Sequence, residues 1–233
     1  MLTLAIIPAR GGSKGVERKN LRCVGGKSLV QRAIESAFDS GDVDRVLVST
    51  EDPDIQSEGL RCGAEVPFLR PVSLASDDAS TIDVVVHAIE EYEKIIQQQV
   101  QTIVLLEPTS PFRRGSHVKE ALLRYRRGGV KSVVSVCPLE RKPQNIFLKV
   151  GSSELLERYI KEPHQLFIRR QEMSHLCRLN SAVYVCGRDE FLAKRTLVME
   201  PVGYVEMNAQ ESLNIDDELD LTFAELIAGK YGL

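Results

Sequence analysis

Four apolar residues in a row, Leu4-Ala5-Ile6-Ile7, lead into a loop that holds Gly11, Gly12 and Gly15 among the cations Arg10, Lys14, Arg18 and Lys19. A run that is apolar at every position reads as a strand buried on both faces, the pattern of a parallel sheet. Pro8 has no N–H for a ladder and ends the pairing. Glycines let backbone approach a ligand closely. Successive outward-turned N–H groups form a concave anion site, and the cations add full charge around it. In open α/β sheets, ligands sit outside the carboxyl ends of the strands. The simplest ligand for such a loop is a polyphosphate.

Two familiar phosphate motifs do not fit. A dinucleotide fingerprint needs G-x-G-x-x-G, whereas these glycines fall at 11, 12 and 15. Gly26-Lys27-Ser28 supplies the end of a Walker P-loop, but Leu21 stands where that motif needs its first glycine.

Further along, apolar runs alternate with helix-like stretches. Leu29–Phe38 carries Leu29, Ala33, Ile34 and Ala37 on one helical face. Asp44–Thr50 reads as the second strand and Ile55–Cys62 as a short helix stopped at Gly63. A brief strand is expected around Ala64–Phe68, and Ser80 or Thr81 is placed to cap a helix running to about Gln98. Thr102–Leu106, Ser132–Val136, Ser181–Cys186 and Val202–Met207 read as strands, with helices over Val118–Arg127 and Asp217–Gly229. Strands separated by helices imply a doubly wound, mostly parallel α/β sheet. Between 138 and 178 the periodicity weakens: Pro138, Pro143 and Pro163 break a polar region with short apolar pieces, Ile146–Val150 and Gln165–Ile168. That interval reads as an insertion within one domain spanning 1–233.

Composition narrows the function classes. A chain of 233 residues with 43% hydrophobic and 27% charged residues suits a soluble globular domain. A net charge of −3 gives no general attraction to nucleic acid or anionic membrane, so neither is expected as a partner. The first apolar run is too short for a signal peptide or a span. Five cysteines, at 23, 62, 137, 177 and 186, lack any C-x-x-C pair. They read as reduced thiols in a cytoplasmic protein, with Cys137, Cys177 and Cys186 packed. The four histidines show no metal spacing, and His87 lies within a helix as a structural residue.

Pro8-Ala9-Arg10-Gly11-Gly12-Ser13-Lys14-Gly15, continued by Lys19-Asn20, resembles the nucleotide-binding motif of the acylneuraminate cytidylyltransferases, the CMP-sialic acid synthetases. The resemblance implies a Rossmann-like nucleotidyltransferase that joins CTP to a nonulosonic acid sugar and releases pyrophosphate. It implies that Arg10, Gly11, Gly12, Ser13, Lys14, Lys19 and Asn20 hold the nucleotide, and that the 138–178 insertion is the arm of a homodimer.

Other segments carry the same resemblance. Arg70-Pro71 followed by Leu74-Ala75 looks like the family's nucleotide-holding segment. Arginine can grip a phosphate with two parallel hydrogen bonds, and Ser80 is either a base or ribose contact or a helix cap. Glu107-Pro108-Thr109-Ser110-Pro111-Phe112-Arg113 resembles the family's Q-P-T-S-P-x-R turn, with Glu107 in place of the sugar-contacting glutamine. An ionised carboxylate only accepts hydrogen bonds, whereas an amide also donates, so Glu107 bears on which sugar is used. Arg170-Gln171 and Arg178-Leu179-Asn180-Ser181-Ala182-Val183-Tyr184 look like the family's sugar-side segment. It implies substrate contacts for Arg170, Arg178, Asn180 and Tyr184, although Leu179 and Ser181 replace a proline and a glycine. Tyr184 is alternatively a core aromatic.

Asn214-Ile215-Asp216 stands where the family has D-x-D on Mg²⁺. Alternate residues of an extended segment share a face, and Mg²⁺ (or Mn²⁺) takes hard oxygen ligands. Asp216 is thus the expected main ligand, with Asn214 supplying a neutral oxygen; capping of the last helix is the other reading of Asp216. Arg10, Lys14, Lys19 and Asp216 are the expected catalytic set. A nucleotidyltransferase for another sugar or base, or a non-catalytic nucleotide-binding homologue, remain the alternatives.

Overall fold

The computed structural model describes residues 2–139, 143, 146–149, 156–159 and 176–232. Its centre is a six-stranded sheet in the order β10-β6-β9-β5-β1-β4. The strands are β1 (Thr3–Pro8), β4 (Arg45–Ser49), β5 (Thr102–Leu105), β6 (Ser132–Pro138), β9 (Cys177–Gly187) and β10 (Val202–Glu206). Strand β1 pairs in parallel with β4 and β5, and β6 with β10. Strand β9 runs antiparallel between β5 and β6. The doubly wound, mostly parallel sheet expected from the sequence is thus present, with one reversed strand.

Helices α1 (Leu29–Phe38), α2 (Pro53–Arg61), α3 (Thr81–Ile96), α4 (Gly115–Arg126), α5 (Arg188–Lys194) and α6 (Glu218–Tyr231) flank the sheet. Alternation along β1 sorts its side chains between two layers. Ala5, Ile7 and Ala9 pack with Val30, Ala33 and Ile34 of α1 and with Val118 and Leu122 of α4. Leu4 and Ile6 pack with Val85, Ile89 and Tyr92 of α3 and with Phe191 of α5. Each Ile, Leu or Val fully buried in this way contributes about 1.5–3 kcal/mol, which is why β1 is apolar from Leu4 to Ile7.

Caps account for the helix boundaries. Ser28 Oγ accepts from Gln31 N at 3.1 Å, and Asp52 Oδ1 accepts from Asp54 N and Ile55 N at 2.8 and 3.1 Å. The segment expected as a strand at Ala64–Phe68 is reduced to one bridge, Leu47 to Glu65. Helix α5 and the short hairpin β2 (Cys23–Val24) and β3 (Lys27–Ser28) were not expected from the sequence. His87 is packed as expected, edge-on to Phe68 with ring centres 5.6 Å apart. Cys137 and Cys186 are buried, but Cys177 is exposed, because it lies at the outer end of β9.

The described part of the 138–178 interval contains a hairpin of β7 (Phe147–Lys149) and β8 (Leu156–Arg158). The apolar piece Gln165–Ile168 and the site candidate Arg170 lie outside the described residues.

Parallel pairing brings the carboxyl ends of β1, β4 and β5 to one edge, where Pro8 is level with Ser49. Because β9 is reversed, its early residues reach that same edge, and Tyr184 sits opposite Leu105. The chain returns from β10 across this edge, where Ile215 N donates to Thr109 O at 2.9 Å.

Candidate active site

The glycine loop closes the edge above β1. Two neighbouring turns hold its shape. Gly11 N donates to Glu51 Oε1 at 2.7 Å, and a β-carbon at Gly11 would come within 2.3 Å of Asp52 Oδ2. Only glycine fits that approach to the cap of α2. Asn20 is buried, and its Nδ2 donates to Arg10 O at 2.9 Å. Asn20 therefore braces the loop from below.

Lys19 points across to the last connection. Its Nζ donates to Ile215 O at 2.8 Å and stands 4.0 Å from Asp216 Oδ1. Burial lowers its pKa, against the pull of Asp216. Arg10 and Lys14 both grip Asp77, each at 2.8 Å, and hold its carboxyl below the usual range, Lys14 first. Arg70, only 4% exposed, donates Nε and Nη2 to Glu51 Oε2 at 3.1 and 3.0 Å. Burial lowers its pKa, and Glu51 works the other way.

A cleft of about 280 Å³ opens among these groups, lined by Arg10, Ser13, Lys19, Arg70, Asp77 and Glu107. A second cleft of about 460 Å³ adjoins it, lined by Ile82, Leu105, Tyr184, Leu197, Val198 and Asn214. Thr81, Glu107 and Thr109 line both. The first is cationic and polar, as a triphosphate needs. The second mixes apolar side chains with hydroxyls.

The turn that carries Glu107 is built on Arg113. This arginine is buried, with Nε donating to Ser36 Oγ at 2.9 Å and Nη1 to Glu107 O and Ala182 O at 2.8 and 2.9 Å. It spans α1, the turn and β9, so its role is to fix the turn. Burial presses its pKa down to about 10. Glu107 itself is half-buried, and loss of solvent pushes its carboxyl up to about 7 against the attraction of Arg113, Lys19 and Arg70.

Several residues expected at the site lie elsewhere. Asn180 is 3% exposed and sits beneath the edge. Its Oδ1 accepts from Ser135 Oγ at 2.5 Å and its Nδ2 donates to Ser212 Oγ at 2.9 Å. It ties β6 and β9 together where their register slips, beside Ser181 at a φ of 60°. That left-handed backbone is where the resembled motif has glycine, and glycine enters it without steric cost. Arg178 is exposed beside Cys137 and lines neither cleft. Ser80 caps α3, accepting from Ile82 N at 3.2 Å, and Thr81 is the residue that reaches the clefts. Tyr184 lines the second cleft with its hydroxyl 3.3 Å from Ser181 Oγ, and it also packs, partly buried, against the core layer of Leu4, Ile6 and Ile89.

Around the last connection, Ile215 is fully buried between Asn214, which lines the second cleft, and Asp216, which lines neither. Asn214 Oδ1 is buried with no hydrogen-bond partner among the described residues. The Asp216 side chain is 76% exposed. Asp217, not Asp216, caps α6, accepting from Leu219 N and Asp220 N at 2.9 and 3.0 Å.

Two acidic residues were missed in the sequence. Neither Glu51, in the turn after β4, nor Asp77, before α3, lies in a pattern that singles it out. The density of cations in the loop is the one local hint that nearby counter-charges are needed.

The cytidylyltransferase family model matches residues 4–213. Over 226 residues the chain is 29% identical to a CMP-N,N'-diacetyllegionaminic acid synthase of Legionella pneumophila, covering 97% of this chain and 95% of that one. Over 231 residues it is 30% identical to a pseudaminic acid cytidylyltransferase of Campylobacter jejuni, covering 97% and 96%. Among solved structures, that of a CMP:2-keto-3-deoxy-manno-octonic acid synthetase complexed with CTP shares the fold. Its TM-score is 0.70 at 18% identity, over 99% of this chain and 100% of that one.

Proposed function

The chain belongs to the cytidylyltransferase family, and from that premise we propose that it transfers CMP from CTP to the anomeric hydroxyl of a nonulosonic acid, releasing pyrophosphate. The observation that carries this reading is the pair of clefts that meet at Thr81, Glu107 and Thr109. One is walled by Arg10, Lys19 and Arg70, as a triphosphate requires. The other has the size and mixed polarity for a sugar bearing apolar substituents. The acceptor oxygen attacks the α-phosphorus in line, and the pyrophosphate leaves with the bonding electrons. Such a step depends on positioning and charge neutralisation more than on covalent catalysis. Arg10 and Lys19 neutralise the phosphates, Arg70 and Glu51 hold the loop in register, and Thr81 and Thr109 stand at the junction.

The residues at the last connection suit Mg²⁺ or Mn²⁺. Asp216 offers an exposed carboxylate and Asn214 an orphaned amide oxygen, both hard donors. Among the described residues no cluster of three His, Cys, Asp or Glu forms a complete cage. Mg²⁺ typically takes one or two carboxylates and completes its shell with substrate phosphates and water. Bound there, the ion would offset phosphate charge.

The 138–178 interval is proposed as a homodimer arm. Its hairpin exposes Phe147 and Leu148, and Ile146 and Tyr159 beside it are exposed as well, which suits burial against a second copy. The five free cysteines suit a reducing compartment such as the cytoplasm.

A pyrophosphate-release assay with CTP and a panel of legionaminic-, pseudaminic- and neuraminic-type acids, with ATP, UTP and sugar 1-phosphates as controls, tests the reading. Release that needs both CTP and a nonulosonic acid is the expected result. CTP binding without release for any acceptor would favour a nucleotide-binding protein. Release with a sugar 1-phosphate would favour another transferase.

A further inference from the structure

Transfer to a hydroxyl requires something to receive its proton. We propose that Glu107 is the general base of the reaction, taking the proton from the acceptor hydroxyl as its oxygen attacks the α-phosphorus. This rests on the cytidylyltransferase reading of the two clefts.

The argument is first one of place. The acceptor oxygen and the α-phosphorus must meet where the nucleotide cleft opens into the second cleft. Three residues line both: Thr81, Glu107 and Thr109. Of these only Glu107 bears a carboxylate. Asp77 lines the nucleotide cleft alone and is held by Arg10 and Lys14. Asp216 is exposed beside Lys19 and lines neither cleft.

The second argument is availability. Neither carboxylate oxygen of Glu107 accepts a hydrogen bond from any described residue. The cations that face it are already engaged. Arg113, from its own turn, serves Ser36 and two carbonyls. Lys19, from the glycine loop, serves Ile215. Arg70, from the segment after β4, serves Glu51. Thr81 of α3, Tyr184 of β9 and Asn214, which line the second cleft with Glu107, add no cation there. Burial therefore outweighs attraction, and the carboxyl is pushed up to about 7. A base whose pKa lies near the working pH combines adequate ionisation with strong proton affinity.

The step balances. The O–H bond of the acceptor breaks and its proton passes to a Glu107 oxygen. A bond forms between that oxygen and the α-phosphorus. The bond to the β-phosphate breaks, and its electron pair leaves on pyrophosphate. Glu107 then returns the proton to solvent. The glutamine of the resembled turn cannot accept this proton, so the substitution alters the chemistry available at the junction.

The test uses the full-length enzyme with saturating CTP and its nonulosonic acid. Glu107→Gln keeps the shape and one acceptor. It should lower kcat by about 10²-fold or more while the KM for CTP stays within about threefold. The wild type should lose kcat/KM below a midpoint near 7, and Glu107→Gln should lack that limb. Glu107→Asp should keep the limb and part of the rate. A Glu107→Gln enzyme with wild-type kcat and the same acid limb would overturn the proposal and leave the transferase reading standing. A wild type that releases no pyrophosphate from CTP with any nonulosonic acid would overturn both. Infrared pH titration of the ligand-free protein, as the difference between wild type and Glu107→Gln, decides independently of turnover. A carboxyl band that titrates near neutrality supports the base, and one that titrates near pH 4.5 removes it.

Discussion

Gly15 lies so close to the backbone of Asp216 that a β-carbon there would come within 1.9 Å of the Asp216 carbonyl oxygen. The glycine loop and the connection that carries the Asp216 carboxylate are thus in direct contact. Lys19 reinforces the contact through Ile215 O, and Val16 packs with Ile215 in one apolar cluster beneath α6. Residues some 200 positions apart in the chain are held as one unit.

Gly15→Ala is expected to break that unit. A backbone oxygen cannot swing aside as a side chain can, so the loop must shift. A displacement of about 1 Å in a positioning element costs on the order of 10²-fold in rate. Steady-state kinetics should show that loss in kcat/KM for CTP, with the circular dichroism spectrum unchanged. Wild-type kinetics would mean that the contact has no part in placing the phosphates.

Asp77 is expected to compete with the nucleotide. It holds Arg10 and Lys14 at 2.8 Å each, and the phosphates need the same cations. Asp77→Asn should therefore tighten CTP, by roughly threefold to tenfold at low salt, and the gain should shrink as ionic strength rises. Calorimetric titration at two salt concentrations reads this. Weaker binding by the variant would make Asp77 a nucleotide contact in its own right.

The proposed metal pair, Asn214 and Asp216, divides into two tests. Asp216→Ala should abolish Mg²⁺-dependent turnover, because Asn214 then offers only a neutral oxygen. Asn214→Asp should lower the Mg²⁺ concentration needed for half-maximal rate, because a second carboxylate joins the site. Titrating Mg²⁺ at saturating CTP compares both with wild type. Turnover in excess EDTA, or an unaffected Asp216→Ala enzyme, would place the metal elsewhere or remove it from the reaction.

Asn180 is expected to act on stability. Truncation to alanine leaves Ser135 and Ser212 without their buried partner. Buried polar groups so stranded cost about 1–3 kcal/mol. Urea unfolding should show a loss of that size, with the KM for the sugar little changed. A large KM effect at unaltered stability would restore Asn180 to the substrate site.

Much of the fold follows from local pattern, because burial on both faces selects continuous apolar runs and burial on one face selects helical stripes. Leu29–Phe38 was legible to the residue for this reason, and the buried strand before the glycine loop was legible to within a residue at each end, running Thr3–Pro8. The place of the loop at the carboxyl edge of the sheet was legible because it directly follows a buried strand. The direction of β9 was not legible. An apolar strand reads the same whichever way it runs, and only pairing with Leu105 and Val134 sets Tyr184 at the cleft. The half-buried carboxylate of Glu51, shared by Gly11 and Arg70, was equally hidden. So was the fate of Asn180, which local sequence cannot distinguish from an exposed amide. Spacing along the chain records neighbours within a turn or two. Burial and charge pairing are settled between residues far apart in it, so the tertiary structure alone decided which polar groups face the clefts and which hold the walls.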